Sequence, residues 1–411
     1  MPLTQDQQLG LTAFEKFLFD DVEKDFVLSG FSGCGKTHLT EEMLNSLHNA
    51  IKTYQLLDAN RHIEYMVTAT TNAAAKVLST RLNLPVGTIF SALDITLREC
   101  HRTGRELLNF SKCKHIMDEI IYFVDEASYL SKEMLIKMRE YRPNAKFVYI
   151  GDKFQLAPIG FDEAPAFGIN CPSFHLNKIV RNTGPLQDLV VALKDGVEKH
   201  RFFSLQQWHN GSSINIVNGA DFQAAIDAEF GRPDFKINDA KILAYHNKTV
   251  RDYAEYVREL QGLPLEFGIN DTVIVNKTYG NLATDSMATI KDIRRSVNDE
   301  YGLETYQLTL KEMGSPVPFT PESGKLNNML KAYAASASAG DIYWSEYFDL
   351  KNYFIDVRDP NACTTHKSQG STYEKVFVDM HDLNECRSKS MLRRLRYVGC
   401  SRASKEVWIY V

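Results

Sequence analysis

The segment Gly30-Phe31-Ser32-Gly33-Cys34-Gly35-Lys36-Thr37 fits G-x-x-x-x-G-K-[ST], and no other run limits the fold as tightly. The pattern has its meaning only where a strand stops, the backbone turns around an anion and a helix begins. An apolar run, Phe26-Val27-Leu28, precedes it, and a helix-like stretch over 36–50 follows. Glycines let backbone N–H groups point inward at phosphate oxygens, and the helix amino end adds partial positive charge. Lys36 reaches the outer phosphates and the Thr37 hydroxyl suits Mg2+. The candidate cradle is Gly30, Ser32, Gly33, Cys34, Gly35, Lys36, Thr37 and His38, and its ligand a nucleoside triphosphate with Mg2+.

Around this turn the chain alternates strands (65–69, 120–124, 147–150) with helices (73–80, 132–141), the signature of a parallel α/β sheet. A second such set spans a strand over 242–245, a helix over 249–260, a strand over 376–379, a basic helix near Leu392 and a terminal strand over 407–410. Two α/β cores are expected: residues 1–174, then 175–266 with 360–411. The polar stretch 94–117, with its Thr103-Gly104 turn, interrupts the first core as a small hairpin insertion. Residues 267–359 interrupt the second. They hold β-like runs (272–275, 305–310) and small residues over 332–340, and are expected to form a β-rich subdomain.

Ile121-Tyr122-Phe123-Val124-Asp125-Glu126 is an apolar strand ending in two carboxylates. Attack on a γ-phosphate needs a metal shell and a placed water, which suits Asp125 for Mg2+ and Glu126 for orienting or deprotonating the water. The run Gly151-Asp152-Lys153-Phe154-Gln155-Leu156-Ala157-Pro158 follows the next strand, at the edge where open α/β sheets bind ligands. Gln155 is its candidate γ-phosphate contact.

Charge narrows the partners. With 47 Lys+Arg against 52 Asp+Glu, the net charge is −5, so any nucleic-acid grip must be a local groove. The apolar runs are strand-sized, so no membrane span is expected. The first twelve residues lack a basic start followed by an apolar stretch, which predicts a cytoplasmic protein. Seven cysteines without a C-x-x-C pair indicate reduced thiols rather than disulfides or zinc. A guanine-reading switch is disfavoured, because Asn247-Lys248-Thr249-Val250 and Asn276-Lys277-Thr278-Tyr279 both lack the aspartate of N-K-x-D.

Joined in order with Thr364-Thr365-His366-Lys367-Ser368-Gln369-Gly370-Ser371 and Tyr397-Val398-Gly399-Cys400-Ser401-Arg402-Ala403, these segments resemble the motif set of superfamily 1 helicases. The resemblance is to the RecD-like, 5′→3′ branch and its phage members. It covers nearly the whole chain, from Leu3-Thr4-Gln5-Asp6-Gln7 to Trp408-Ile409-Tyr410-Val411, and includes Tyr343-Trp344-Ser345-Glu346-Tyr347-Phe348-Asp349. It implies two RecA-like P-loop NTPase cores with ATP as the nucleotide, Gln7 reading adenine, and Arg181 and Arg402 as arginine fingers. The catalytic set is then Lys36, Glu126, Gln155, Arg181 and Arg402. Single-strand contacts fall on Thr70, Thr71, Asn72, Thr88, Phe90, Tyr245, Asn247, Thr365, His366 and Lys367. Thr70 and Asn72 stand where the phage members carry Pro and His, and Phe90 where they carry His.

By the same resemblance the hairpin takes the place of a strand-separating pin, with Leu107 and Phe110 as candidate wedges. Residues 267–359 take the place of a small β-barrel and hook, from which Trp344 would brace the pin. The basic helix with Arg387, Lys389, Arg393, Arg394 and Arg396 is a candidate backbone groove. The implied activity is ATP-dependent unwinding of DNA with 5′→3′ polarity, the alternative being a translocase that remodels protein–DNA complexes. Single-stranded and forked duplex DNA are the implied substrates, a single-strand binding protein or replisome component the implied partner, and a monomer the implied state.

Overall fold

A computed structural model describes residues 2–57, 63–110, 119–158, 161–178, 184–296 and 300–411. The chain forms two units, one of residues 1–93, 112–253 and 362–411, the other of 94–111 and 254–361.

The first unit holds two all-parallel sheets. One has the spatial order Gly87–Thr88, Glu64–Ala69, Ile120–Asp125, Lys146–Gly151, Asp25–Gly30, Ser173–Leu176. Residues 120–124 are buried without a break, as a parallel strand covered on both faces requires. Phe14 packs at ring-centroid distances of 6.0 Å from Phe26 and 5.8 Å from Phe123 in the core beneath. Its helix, Gln5–Leu18, opens with a capping box in which the Gln7 N–H donates to the Thr4 hydroxyl and the Thr4 N–H to the Gln7 side chain. The edge strand Ser173–Leu176 pairs with Asp25–Gly30, so the first sheet runs past the boundary expected at 174. A four-residue edge strand gives too short an alternation to be read from sequence.

The second sheet has the order Ala362–Thr364, Ala240–Ala244, Tyr373–Asp379, Ala403–Tyr410, Ile214–Val217. Its apolar core of Leu243, Val376, Tyr397 and Ile409 also takes in Phe31, Phe154 and Leu156 from loops of the first sheet. In each sheet parallel strands deliver their following loops to one edge. That geometry gathers 31–35, 70–72, 126–128 and 152–156 at the first sheet, and 245–247 and 365–370 at the second.

In the second unit, Ile95–Cys100 and Arg105–Phe110 pair antiparallel as a hairpin. A five-stranded antiparallel sheet runs Pro316–Phe319, Tyr306–Leu310, Met287–Arg295, Thr272–Val275, Val357–Arg358. It curls until the Ile355 N–H donates to the Pro318 carbonyl at 2.9 Å, a barrel-like closure around Val273, Ile290, Leu308 and Val317. Residues 332–340 are not strand. They end the helix Ser323–Ala339, which packs Leu326, Met329, Leu330 and Tyr333 toward Leu350 and Phe354.

The helix Trp344–Tyr353 lies along the hairpin. The Asn352 amide donates to Glu99 at 2.6 Å, His101 meets Phe348 edge-on at 5.6 Å, and a β-carbon on Gly104 would collide with the Trp344 indole. These contacts, invisible in chain order, group the hairpin with this unit rather than with the first core. Among the described residues no helix is long and apolar enough to cross a membrane.

Candidate active site

The phosphate loop turns at Gly33 and Gly35, whose φ angles of 88° and 80° suit glycine. The helix Lys36–Leu57 starts at its end, and the N–H groups of that first turn have no acceptor within the helix. The Lys36 ammonium lies 2.7 Å from the Gly30 carbonyl and 3.3 Å from that of Phe31. Burial works against its charge, but Cys34 and the carboxylates of Asp152, Glu126 and Asp125 hold it above the ordinary lysine range. His38, in the first turn of that helix, turns its ring toward Glu41 at 3.7 Å. Gln7, 1% exposed, accepts from Thr4 through Oε1 and donates from Nε2 to the Gly35 carbonyl at 3.3 Å. It thereby ties the first helix to the loop and has one amide N–H left for a base.

The strand Ile120–Asp125 carries the two acids to this edge. Glu126 takes a left-handed backbone at φ 52°, and its N–H donates to Asp125 Oδ1 at 2.9 Å. Burial and the charge of Asp125 push the Glu126 carboxyl up to about 7, while Arg402 and Lys36 pull it down. A carboxyl poised near neutrality is suited to take a proton from water. Its Oε2 is buried without a hydrogen-bond partner, which marks a place prepared for a reactant. Thr37 and Asp125 offer the hard oxygen donors that Mg2+ prefers.

The segment 151–158 lies across from the second core. Asp152 is fully buried, accepting from the Phe154 N–H at 2.9 Å and from the Tyr397 hydroxyl at 2.5 Å. Gln155 is 4% exposed, and its Oε1 has no partner. From the second core, Gln369 donates to the Ser128 hydroxyl at 2.9 Å, the His366 carbonyl accepts from the Tyr129 hydroxyl at 3.1 Å, and a β-carbon on Gly370 would lie 3.8 Å from Glu126 Oε1. Arg402 is held by the carbonyls of Val398 and Ser371 and by the Ser401 hydroxyl, and its charge acts on Glu126. Lys36, Asp125, Glu126, Gln155 and Arg402 are thus brought together, whereas Arg181 lies outside the described residues.

Sequence reasoning missed Ser128, Arg394 and the Tyr397 hydroxyl. Arg394, expected in a basic groove, is instead buried and donates at 2.7 Å to the carbonyls of both Lys153 and Gln155. Arg393 and Arg396 lie over the Phe202 ring, at 5.2 and 4.9 Å.

Candidate strand contacts stand at the same sheet edges, with two corrections. Thr70 is 7% exposed and donates to the Glu126 carbonyl at 2.9 Å; Thr365 is fully buried and donates to the Ala244 carbonyl at 3.2 Å. Both side chains brace strand ends instead of facing a groove, because the nearest carbonyl lies within the fold. Thr71 and Thr88 cap helices by accepting from Ala74 and Ser91, and each keeps its O–H to donate. Asn72, Asn247 and Lys367 are exposed, and Phe90 is half-buried beside the fully buried Ile89. Tyr245 and His366 are half-buried with ring centroids 6.0 Å apart, and burial pushes the His366 imidazole below its usual range. In the second unit Leu107 is 51% exposed, while the Phe110 side chain lies outside what is described.

A family model described as an AAA domain matches residues 12–215, and one described as a UvrD-like helicase C-terminal domain matches 361–410. The chain is 20% identical over 501 residues to an uncharacterized protein of Acanthamoeba polyphaga mimivirus, covering 98% of each. It is 21% identical over 437 residues to the ATP-dependent DNA helicase dda of Enterobacteria phage T4, covering 93% of each. Solved structures that match its full length include two of Pif1 helicases. A Pif1 helicase from work on unwinding at forked duplex DNA by two coordinating Pif1 helicases has a TM-score of 0.54 at 15% identity, with 92% of that chain covered. The Bacteroides Pif1 helicase with ADP-AlF3 and single-stranded DNA has a TM-score of 0.51 at 13% identity, with 93% covered.

Proposed function

Given that this chain is a superfamily 1 helicase with two RecA-like cores, resembling the phage Dda helicase, we propose that it hydrolyses ATP to move 5′→3′ along single-stranded DNA and to unwind duplexes. The observation that carries the reading is the composition of the site. Lys36, Asp125 and Glu126 come from one sheet edge, while Arg402 and Gly370 reach Glu126 from the other core. A site divided between two cores links hydrolysis to their relative movement.

The chemistry follows from these side chains. The cradle and Lys36 bind the phosphates, Glu126 takes a proton from the attacking water, and Arg402 offsets charge on the transferred phosphoryl group. Gln155, with its unpartnered amide oxygen, orients the water or the γ-phosphate. Mg2+, held by Thr37 and Asp125, would supply further charge neutralisation. Thr71, Asn72, Thr88 and Phe90 on one core and Tyr245, Asn247, His366 and Lys367 on the other would grip the strand alternately, through phosphates and stacking and without reading sequence.

The direction follows the RecD-like motif set, and a role in copying or recombining a viral genome is supported by the viral origin of both sequence relatives. A single chain supplies both halves of the site, which supports action as a monomer. Strand release from duplexes with a 5′ or a 3′ single-stranded tail tests the direction. Release from the 5′-tailed substrate alone is expected, and release from the 3′-tailed one alone would reverse the assignment.

A further inference from the structure

The helix Lys389–Ser401 belongs to the second core, yet one of its faces is fastened to loops of the first. Arg394 donates at 2.7 Å to the carbonyls of Lys153 and Gln155, fixing the backbone on both sides of Phe154. One turn further on, the fully buried Tyr397 donates its hydroxyl proton to Asp152 Oδ2 at 2.5 Å, while the Tyr397 hydroxyl oxygen accepts the Ser32 N–H at 3.1 Å. Arg402 caps the carboxyl end of this helix. A single hydroxyl therefore joins the phosphate loop, the 152–156 loop and the helix that carries the arginine finger.

We propose that Tyr397 is a positioning residue for ATP hydrolysis, one that couples occupancy of the phosphate loop to the placement of Arg402. The inference rests on the ATP-hydrolysing reading of this site. Ser32 lies in the loop that receives the phosphates, and its N–H can serve Tyr397 or an incoming anion. When an anion takes that donor, Tyr397 keeps only its bond to Asp152, a charged acceptor and the stronger of the two. The helix then loses its tie to the phosphate loop and stays anchored to the 152–156 loop through Arg394 and Asp152. Because Arg402 is held to the last turn of this helix through the Val398 carbonyl and the Ser401 hydroxyl, a change at Tyr397 is transmitted to it over less than two turns of helix.

Two consequences separate this role from simple packing. Removing the hydroxyl frees the Ser32 N–H for nucleotide, so ATP binding should hold or tighten while turnover falls. The loss should also vanish when Arg402, the group being positioned, is already gone.

The test is a cycle of Tyr397→Phe, Arg402→Ala and the double variant, with kcat and KM for ATP measured on single-stranded DNA and melting temperature recorded for each. Tyr397→Phe alone should lower kcat about ten- to a hundred-fold, the range of a charge-assisted hydrogen bond, with KM unchanged or lower. In the Arg402→Ala background the same change should alter kcat by less than about twofold. Equal fold losses in both backgrounds, or an unchanged kcat in the single variant, would overturn the role of Tyr397. If Tyr397→Phe does not fold, Arg394→Lys, which replaces two fixed donors by one mobile ammonium on the same helix, carries the same cycle: kcat should fall with KM unchanged, and the fall should vanish in the Arg402→Ala background. Absence of turnover in the parent chain would instead count against the ATPase reading itself.

Discussion

Replacing Thr70 with valine separates two jobs that a threonine can do at the end of a strand. Its hydroxyl donates to the Glu126 carbonyl from a nearly closed position, so the variant should lose about 1–3 kcal/mol of stability in chemical denaturation. Affinity for single-stranded DNA without nucleotide should stay unchanged. A stable variant with weakened strand binding would restore Thr70 to the groove. Asp382 offers a second test, through pH. Burial disfavours its charge, but hydrogen bonds from the His246 ring, the N–H groups of His246 and Tyr245 and the Thr249 hydroxyl hold its carboxyl below the ordinary range. A carboxyl lowered by folding binds fewer protons in the native state. Its contribution is complete above the unfolded aspartate value, about 3.9, and is lost as pH falls through the folded one. Asp382→Asn should therefore melt below the parent at pH 7, with the gap closing in acid below about pH 4. A gap constant with pH would remove the carboxylate charge from the account. These hydroxyls and carboxylates mark where sequence reading stops. Residues such as Thr70, Thr365 and Tyr397 carry the right groups for a ligand, but which partner each group takes is settled by neighbours that are distant in the chain.

At the scale of elements, periodicity was most informative where burial is simplest. Residues 120–124, buried on both faces, stand out as a continuous apolar run, and the glycines of the phosphate loop announce the strand-to-helix turn beside them. The short edge strand Ser173–Leu176 and the helix Ser323–Ala339 are not legible, the first for lack of length and the second because its apolar stripe of Leu326, Met329, Leu330 and Tyr333 gives way to a run of alanines and serines. The hairpin shows why contacts matter beyond pattern. Gly104 has a φ of 65° and faces the Trp344 indole. Gly104→Ala should cost roughly 1 kcal/mol in backbone strain alone and push the indole away from the turn. If the braced hairpin separates strands, this variant should release less duplex per ATP while keeping its single-strand-stimulated turnover. Parallel losses in both assays would show that the hairpin has no separate part in unwinding.

Over the whole molecule, the two parallel sheets divide the chemistry. One holds the phosphate loop and the acids, the other holds Arg402 and the loop at Gly370, and apolar packing of Phe31, Phe154 and Leu156 joins them beside the site. This arrangement explains how a chain of net charge −5 can act on nucleic acid. In the proposed reading the grip is confined to loops at two sheet edges, and nucleotide contacts at the same edges would connect it to hydrolysis. Binding of a single strand should then change the rate of ATP turnover, because strand and nucleotide bias the same pair of cores. The most direct measurement is ATP turnover with and without a single-stranded oligonucleotide, using Lys36→Ala as the zero. Strong stimulation by the oligonucleotide, absent in Lys36→Ala, is the expected result; turnover that is the same with and without the strand would contradict a motor and leave a nucleotidase with no coupled grip on DNA.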